Sequence, residues 1–370
     1  GNGTLTNGAQ PGNAVINNTM IIGDGTANSR HTTTGTSFTD TTGAPKAQQW
    51  ADYQGRIYAG TSSTLFWSTT GTATDWTTDS SSIQIPGPGA INWVAKVADR
   101  IVTAKNSGIM HRWDGFNLVD LATNLGPTSP QSVGNVEDFR LYLNRVGVFG
   151  FGGGKPEIVS NVIERQIYND SGSAISGGTF DSAPGAVYKY DYYLAVGTIT
   201  DDLTNETLSN AVLCYDFQLN EWRNYSLSDN PTSWLNYKDA SGNEQLIFGD
   251  TGGQCYTFGG TALSDNGKPI TSVIEYVING GSPNLDKKWN YDWFFFNPGC
   301  QAVVQVAYAN TFANRGLNWI NLGQAVDGVV EFKHTDARSR LMFVKITESS
   351  MSARFQWFGA SSDFEVIERR

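Results

Sequence analysis

The chain has 370 residues, a formal net charge of −10, 39% hydrophobic and only 16% charged residues. Its length suits one large β domain plus a smaller one, and its acidic balance excludes a general affinity for nucleic acid or anionic membranes. No run of about 18 apolar residues is present, which excludes a membrane-spanning helix. The sequence as given opens on Gly1 rather than Met and shows no basic-then-apolar leader, so a processed chain or a piece of a longer one is expected. With 41 Gly, 11 Trp, 15 Tyr and 19 Phe, it reads as short strands, many turns and aromatic packing. Its surface must then be covered largely by Thr, Ser, Asn and Gln, as in rigid extracellular or particle-borne β proteins.

Almost nothing has helical periodicity. Apolar residues alternate instead, in short runs bounded by Gly, Asn, Asp or Ser, which is the strand signal. In chain order, a weak first unit spans Asn17 to Thr41 ("NNTMIIGDGTANSRHTTTGTSFTDT"), and a clear one follows from Ala51 to Trp76. Further copies occupy Trp93 to Gly115, Ser132 to Gly154, Gly185 to Gly197 continuing through Asn210 to Tyr225, and Trp234 to Gly260. Their central strands ("RIYAG", "RIVTA", "RLYLN", "YYLAVG", "QLIFGD") recur at roughly 40 to 55 residues, the period of a four-stranded propeller blade. The predicted fold is all-β: a β-propeller of about six blades over 1–260, then a C-terminal β-sandwich over 261–370. The later strands read from "KPITSVIEYVINGG", "KKWNYDWFFFNPG", "CQAVVQVAYAN", "GVVEFKHT", "RLMFVKITES" and "SARFQWFGASSDFEVI".

The colinear series "MIIGDG", "APKAQQWADYQGRIYAGTSSTLFWSTTGTATDW", "IQIPGPGAINWVAKVADRIVTAKNSGIMHRWDG" and "GPTSPQSVGNVEDFRLYLNRVGVFGFGGGKPEIVSNVIE" resembles bacteriophage virion proteins with a propeller body and a C-terminal sandwich. It is similar to the tail-nozzle proteins of short-tailed phages, although shorter than the large ones, which carry insertions. The resemblance implies a non-enzymatic structural component of a phage tail, of nozzle or tail-ring type, located in the virion. It implies a homo-oligomer, a hexameric ring forming part of the DNA channel, with other phage tail or portal-adaptor proteins as partners. Contact with genome DNA would be passive, with no cofactor and no membrane insertion.

Candidate chemistry divides by whether it recurs. Asp52, Asp99, Glu137, Asp138 and Asp191 recur just before the central strands, where an acid can cap a tight bend, whereas a glycosidase needs one singular pair across a cleft. Arg56, Arg100 and Arg140 recur at the strand starts. They would line a channel if they point to the axis, or pair with neighbouring Asp if they point outward, the favoured arrangement. Trp76, Trp113 and Trp222 sit beside acids near turns and read as blade packing rather than sugar stacking. "GFGGGKP" (Gly150 to Pro156) lacks the ending and the following helix of a phosphate loop and reads as a turn with positive-φ glycines. His31, His111 and His334 are too scattered for a metal site and read as surface histidines. Cys214, Cys255 and Cys300 follow no metal spacing and read as buried free thiols, with one disulfide left open. Trp293 to Phe296 reads as core or subunit interface. "LFWSTTGTATDW" approaches the Asp-box of sialidases, but Thr70 holds the Asp position and Gly71 comes one residue early. No catalytic, cofactor or metal residue is expected. The rival expectations are a carbohydrate- or receptor-binding propeller and a secreted glycoside hydrolase.

Overall fold

The computed structural model describes residues 6, 11–169, 172–173, 175, 177–200, 207–239, 241–259, 264–311, 317–350 and 355–367. Gly1, the expected boundary at Gly260 and Thr261, and the Ser352–Arg354 start of the last expected strand lie outside them. The described residues fall into two compact units, one within Gly1–Ile199, Asn210–Tyr225 and Asn230–Phe258, the other within Thr200–Ser209, Ser226–Asp229 and Gly259–Arg370.

The chain is all-β, built mainly from small antiparallel sheets whose strands follow one another in sequence. The first sheet holds Gly12–Ile16, Thr19–Gly23, Arg30–Thr32 and Thr39–Asp40. The second holds Gln49–Tyr53, Arg56–Thr61, Thr64–Trp67 and Ser81–Gln84, and the third Ile91–Val97, Arg100–Lys105, Met110–Trp113 and Leu118–Ala122. The fourth holds Gly134–Val136, Phe139–Asn144, Gly147–Phe151 and Glu157–Ile158. The fifth holds Gly185–Tyr188, Asp191–Thr200, Thr207–Asp216 and Glu221–Ser226, and a three-stranded sixth holds Ser233–Lys238, Glu244–Gly249 and Cys255–Phe258. The runs read as central strands are the second strands of these sheets.

Two-residue turns join first strands to second strands and set the register. Asn17 and Asn18, Gln54 and Gly55, and Ala98 and Asp99 all have positive φ, the condition of a type I′ hairpin. A sheet of four short strands cannot bury both faces alone, so consecutive sheets pack on one another. Ala14 and Ile21 of the first sheet meet Trp50, Ile57 and Ala59 of the second. Tyr58 and Leu65 of the second meet Ile91, Val94 and Ile101 of the third, and Trp93, Val102 and Ala104 of the third meet Tyr142, Phe149 and Phe151 of the fourth. Close approach selects glycine here. A Cβ on Gly12 would strike the Gln48 carbonyl, and one on Gly185 would lie 2.5 Å from the Ser132 oxygen.

The C-terminal unit is wired differently. One sheet runs in the order Ser272–Ile278, Leu341–Glu348, Val303–Ala309, Ile320–Gln324; the other in the order Val329–Ser339, Asp286–Phe296, Trp357–Ile367. The two share one core, with Trp289, Phe294 and Val330 from the second meeting Val304, Val306, Met342, Val344 and Ile346 from the first. The strand Ile320–Gln324 has no counterpart in the sequence reading. Neither do the short helices Glu164–Ile167 and Gly177–Ser182. Among the described residues no helix is long and apolar enough to cross a membrane.

Candidate functional site

Among the bonds seen, none of the recurrent acids Asp52, Asp99, Glu137, Asp138 and Asp191 caps a bend with its side chain, contrary to expectation; Asp99 and Glu137 instead sit in the turns with positive φ. Asp99 is itself a turn residue and pairs with Lys96 at 3.3 Å, while Asp191 accepts from Arg223 at 2.6 Å and from the Tyr193 hydroxyl at 3.0 Å. Turn capping is carried elsewhere. Asp75 accepts the amides of Thr77 and Thr78, Asp114 those of Phe116 and Asn117, and Asp216 those of Gln218 and Leu219. Asp24, Asp239 and Asp250 do the same in their own turns. These bonds favour the charged form, so they hold several carboxyls below the ordinary range. The Thr6 amide is the largest cause at Asp24, the Thr78 hydroxyl at Asp75 and the Asn117 amide at Asp114. Five of the six capping acids end a strand or directly follow one, Asp75 being the exception.

The arginines end mainly on backbone oxygens. Arg56 donates to the Ser68 and Asp79 carbonyls and pairs with the Asp79 carboxylate at 2.6 Å. Arg100 donates to the Asp99 carbonyl, while Arg140 reaches the Glu137 carbonyl and, across to the third sheet, that of Lys96 at 2.7 Å. Only Arg56 therefore makes the expected pairing with an Asp among the bonds seen. The tryptophans are packing residues: Trp76 donates to the Ala73 carbonyl and meets Trp50 edge-on, Trp113 stacks on Trp67, and Trp222 donates to the Val159 carbonyl just past the last strand of the fourth sheet. In the former Asp-box candidate, Ser68 Oγ accepts the Ile57 amide and donates to the Thr72 carbonyl, so the stretch ties a hairpin. Within "GFGGGKP", Gly153 has φ of 94° in the bend between the third and fourth strands of its sheet.

Two of the three histidines depart from the surface expectation. His31 contacts Thr41 at 3.0 Å, but His111 is buried beside Asp120, and burial lowers its pKa despite that acid. His334 is also buried. Its Nε2 lies 2.6 Å from Asp292 Oδ2, and its Nδ1 contacts the Tyr308 hydroxyl. Asp292 is fully buried; pairing of its strand with that of His334, and packing of the facing sheet that carries Tyr308, gather three groups distant in sequence into one polar chain. Burial raises the Tyr308 pKa, which argues against an activated phenolate. The "WFFF" run alternates: Phe294 and Phe296 enter the core, whereas Trp293 stacks on Tyr291 at 5.6 Å and Phe295 stays 41% exposed. The three cysteines are free thiols, but Cys255 is exposed rather than buried; burial pushes Cys214 up to about 12 and Cys300 up to about 11.

A recess of about 220 Å³ lies among the first three sheets, lined by Lys46, Gln48, Gln49, Ser62 and Asn92 with no carboxylate. Such a lining can hydrogen-bond a ligand but supplies no acid–base pair. Among the described residues no group of three or more His, Cys, Asp or Glu could hold a metal.

No family model and no curated protein matches the chain. Similar solved structures include the WD40 beta propeller domain of Doa1, at 12% identity over 68% of this chain and 94% of that one, with a TM-score of 0.37. BamB from Moraxella catarrhalis is similar at 11% identity over 91% and 96%, with a TM-score of 0.39. BBS1N in complex with ARL6DN is similar at 8% identity over 93% and 92%, with a TM-score of 0.43.

Proposed function

We propose that this chain is a non-enzymatic structural protein of a phage tail, of nozzle or tail-ring type, working as a ring of identical copies in the virion. In this reading the six consecutive sheets are propeller-type blades over 1–260, and the two C-terminal sheets form a β-sandwich over 261–370. One observation carries it: the arginines and tryptophans that looked chemical are spent on backbone carbonyls and packing, and Asp99 and Asp191 on ion pairs with Lys96 and Arg223. Its action is geometric, with rigid sheets presenting loops to neighbouring copies and to other tail or portal-adaptor proteins. An acidic surface favours passive rather than gripping contact with DNA.

The test is imaging of purified particles with this chain located by a tag, together with light scattering of the isolated protein. Rings in the tail support the proposal. Monomers in solution and absence from particles overturn it, and turnover on a panel of glycosides would favour the hydrolase instead.

A further inference from the structure

In the C-terminal sheet centred on Asp286–Phe296, alternation sends Trp289, Asp292, Phe294 and Phe296 into the core. Tyr291, Trp293 and Phe295 therefore stand on the opposite face, in a row about 13 Å long at the rise of a strand. Register fixes their neighbours. Trp293 lies opposite Glu331 on one side and Ser361 on the other, Tyr291 opposite Lys333 and Asp363, and Phe295 opposite Val329 and Gly359. The Tyr291 ring is already covered, by Trp293 at 5.6 Å and by the Lys333 ammonium at 5.4 Å. Towards Phe295 the row is open. Phe295 is 41% exposed, and a Cβ placed on Gly359 would meet no atom within 4 Å.

The polar groups beside this opening select its occupant. Glu331 and Asp363 form no ion pair with any described residue, and Asp363 takes only a long bond from the Asn290 amide, at 3.4 Å. Two carboxylates without cations repel a phosphate-bearing or acidic ligand, so nucleic acid does not fit here. The core of a protein interface would strip both acids of water with nothing in exchange, and such cores are depleted in Glu, Asp and Lys. Sugars match the chemistry: the C–H face of a pyranose packs on an aromatic ring while its hydroxyls donate to carboxylates. We propose that this face binds a neutral oligosaccharide, with one sugar ring on the open side of Trp293, against Phe295, and its hydroxyls on Glu331 and Ser361. Gly359 keeps the neighbouring strand clear of that ring. The site lies wholly in the C-terminal unit and is independent of whether the chain assembles into a ring.

The test is binding of the purified full-length protein to an array of neutral and acidic oligosaccharides, with affinities for the hits measured by calorimetry. Binding confined to neutral oligosaccharides is expected. Trp293→Ala should weaken it about tenfold through lost stacking, and Glu331→Gln about threefold through lost charge assistance. Phe116→Ala, on an exposed turn of the N-terminal unit, should leave it unchanged. Glu331 is exposed, so its variant reads the site even where circular dichroism shows that Trp293→Ala has not folded. No binding anywhere on the array, binding to acidic sugars only, or an equal loss in Phe116→Ala overturns the inference. So does self-association that Trp293→Ala abolishes without any sugar binding, which would make the face a protein interface.

Discussion

The two units solve the same burial problem in opposite ways. In the N-terminal unit each sheet is a local meander, tied by two-residue turns and by Asp side chains that bond amides two or three residues on. Both units bury polar groups, Lys105 and His111 in the N-terminal one, but the C-terminal unit pairs strands far apart in sequence, such as Ser272–Ile278 with Leu341–Glu348, and holds its buried polar groups across them. There Lys287 is fully buried, and its ammonium donates to the carbonyls of Ser282, Leu285 and Arg340 at 2.6, 2.9 and 2.9 Å. Local ties can be lost one at a time, whereas a buried tie strands its partners when it breaks.

The largest expected effect lies at the His334–Asp292 pair. His334→Leu leaves Asp292 buried without its partner and should destabilise the C-terminal unit by about 4 kcal/mol, within the range for a broken buried pair. The double variant Asp292→Leu/His334→Leu should recover much of that loss in denaturant titrations. Additive losses would show that the pair is not coupled. Lys287→Met should cost about 3 kcal/mol, because three buried carbonyls lose a charged donor. If only the N-terminal transition moved, the contrast between the units would fail.

In the N-terminal unit, Gly12→Ala should cost about 2 kcal/mol by forcing the first two sheets apart, read as a lower midpoint in denaturant at an unchanged slope. Asp24→Ala should cost about 1.5 kcal/mol, the smallest effect, because the Thr6, Thr26 and Ala27 amides lose their carboxylate acceptor. The capping acids also set an acid limit. The folded pKa values of Asp24, Asp75, Asp114 and Asp239 lie below the ordinary 3.8, so their contribution is complete above that value. It is lost as pH falls through the depressed folded values. Thermal melts should therefore hold near pH 5 and decline below about pH 4. A flat profile to pH 2 would remove the acids from the account.

The repeat was legible because its causes are local. "RIYAG", "RIVTA" and "RLYLN" carry their own alternation and their own turns, so each announces a second strand without reference to the rest of the chain. The bends before the central strands were legible, but not which acids cap turns: the acids expected to do so are not the ones that accept turn amides. Asp75 and Asp99 look alike in sequence, and only the backbone path decides that one meets two amides and the other a lysine.

What the sequence alone determined is the all-β character and the spacing of the small sheets, because side-chain alternation and turn chemistry act within a few residues. Tertiary structure decided what depends on distant strands. It sent Phe294 inward and left Phe295 exposed, set His334 against Asp292, and closed three carbonyls around Lys287. The physical reason is that burial and hydrogen-bond partnership belong to pairs of strands, and the strand order of the C-terminal unit is written in no single stretch.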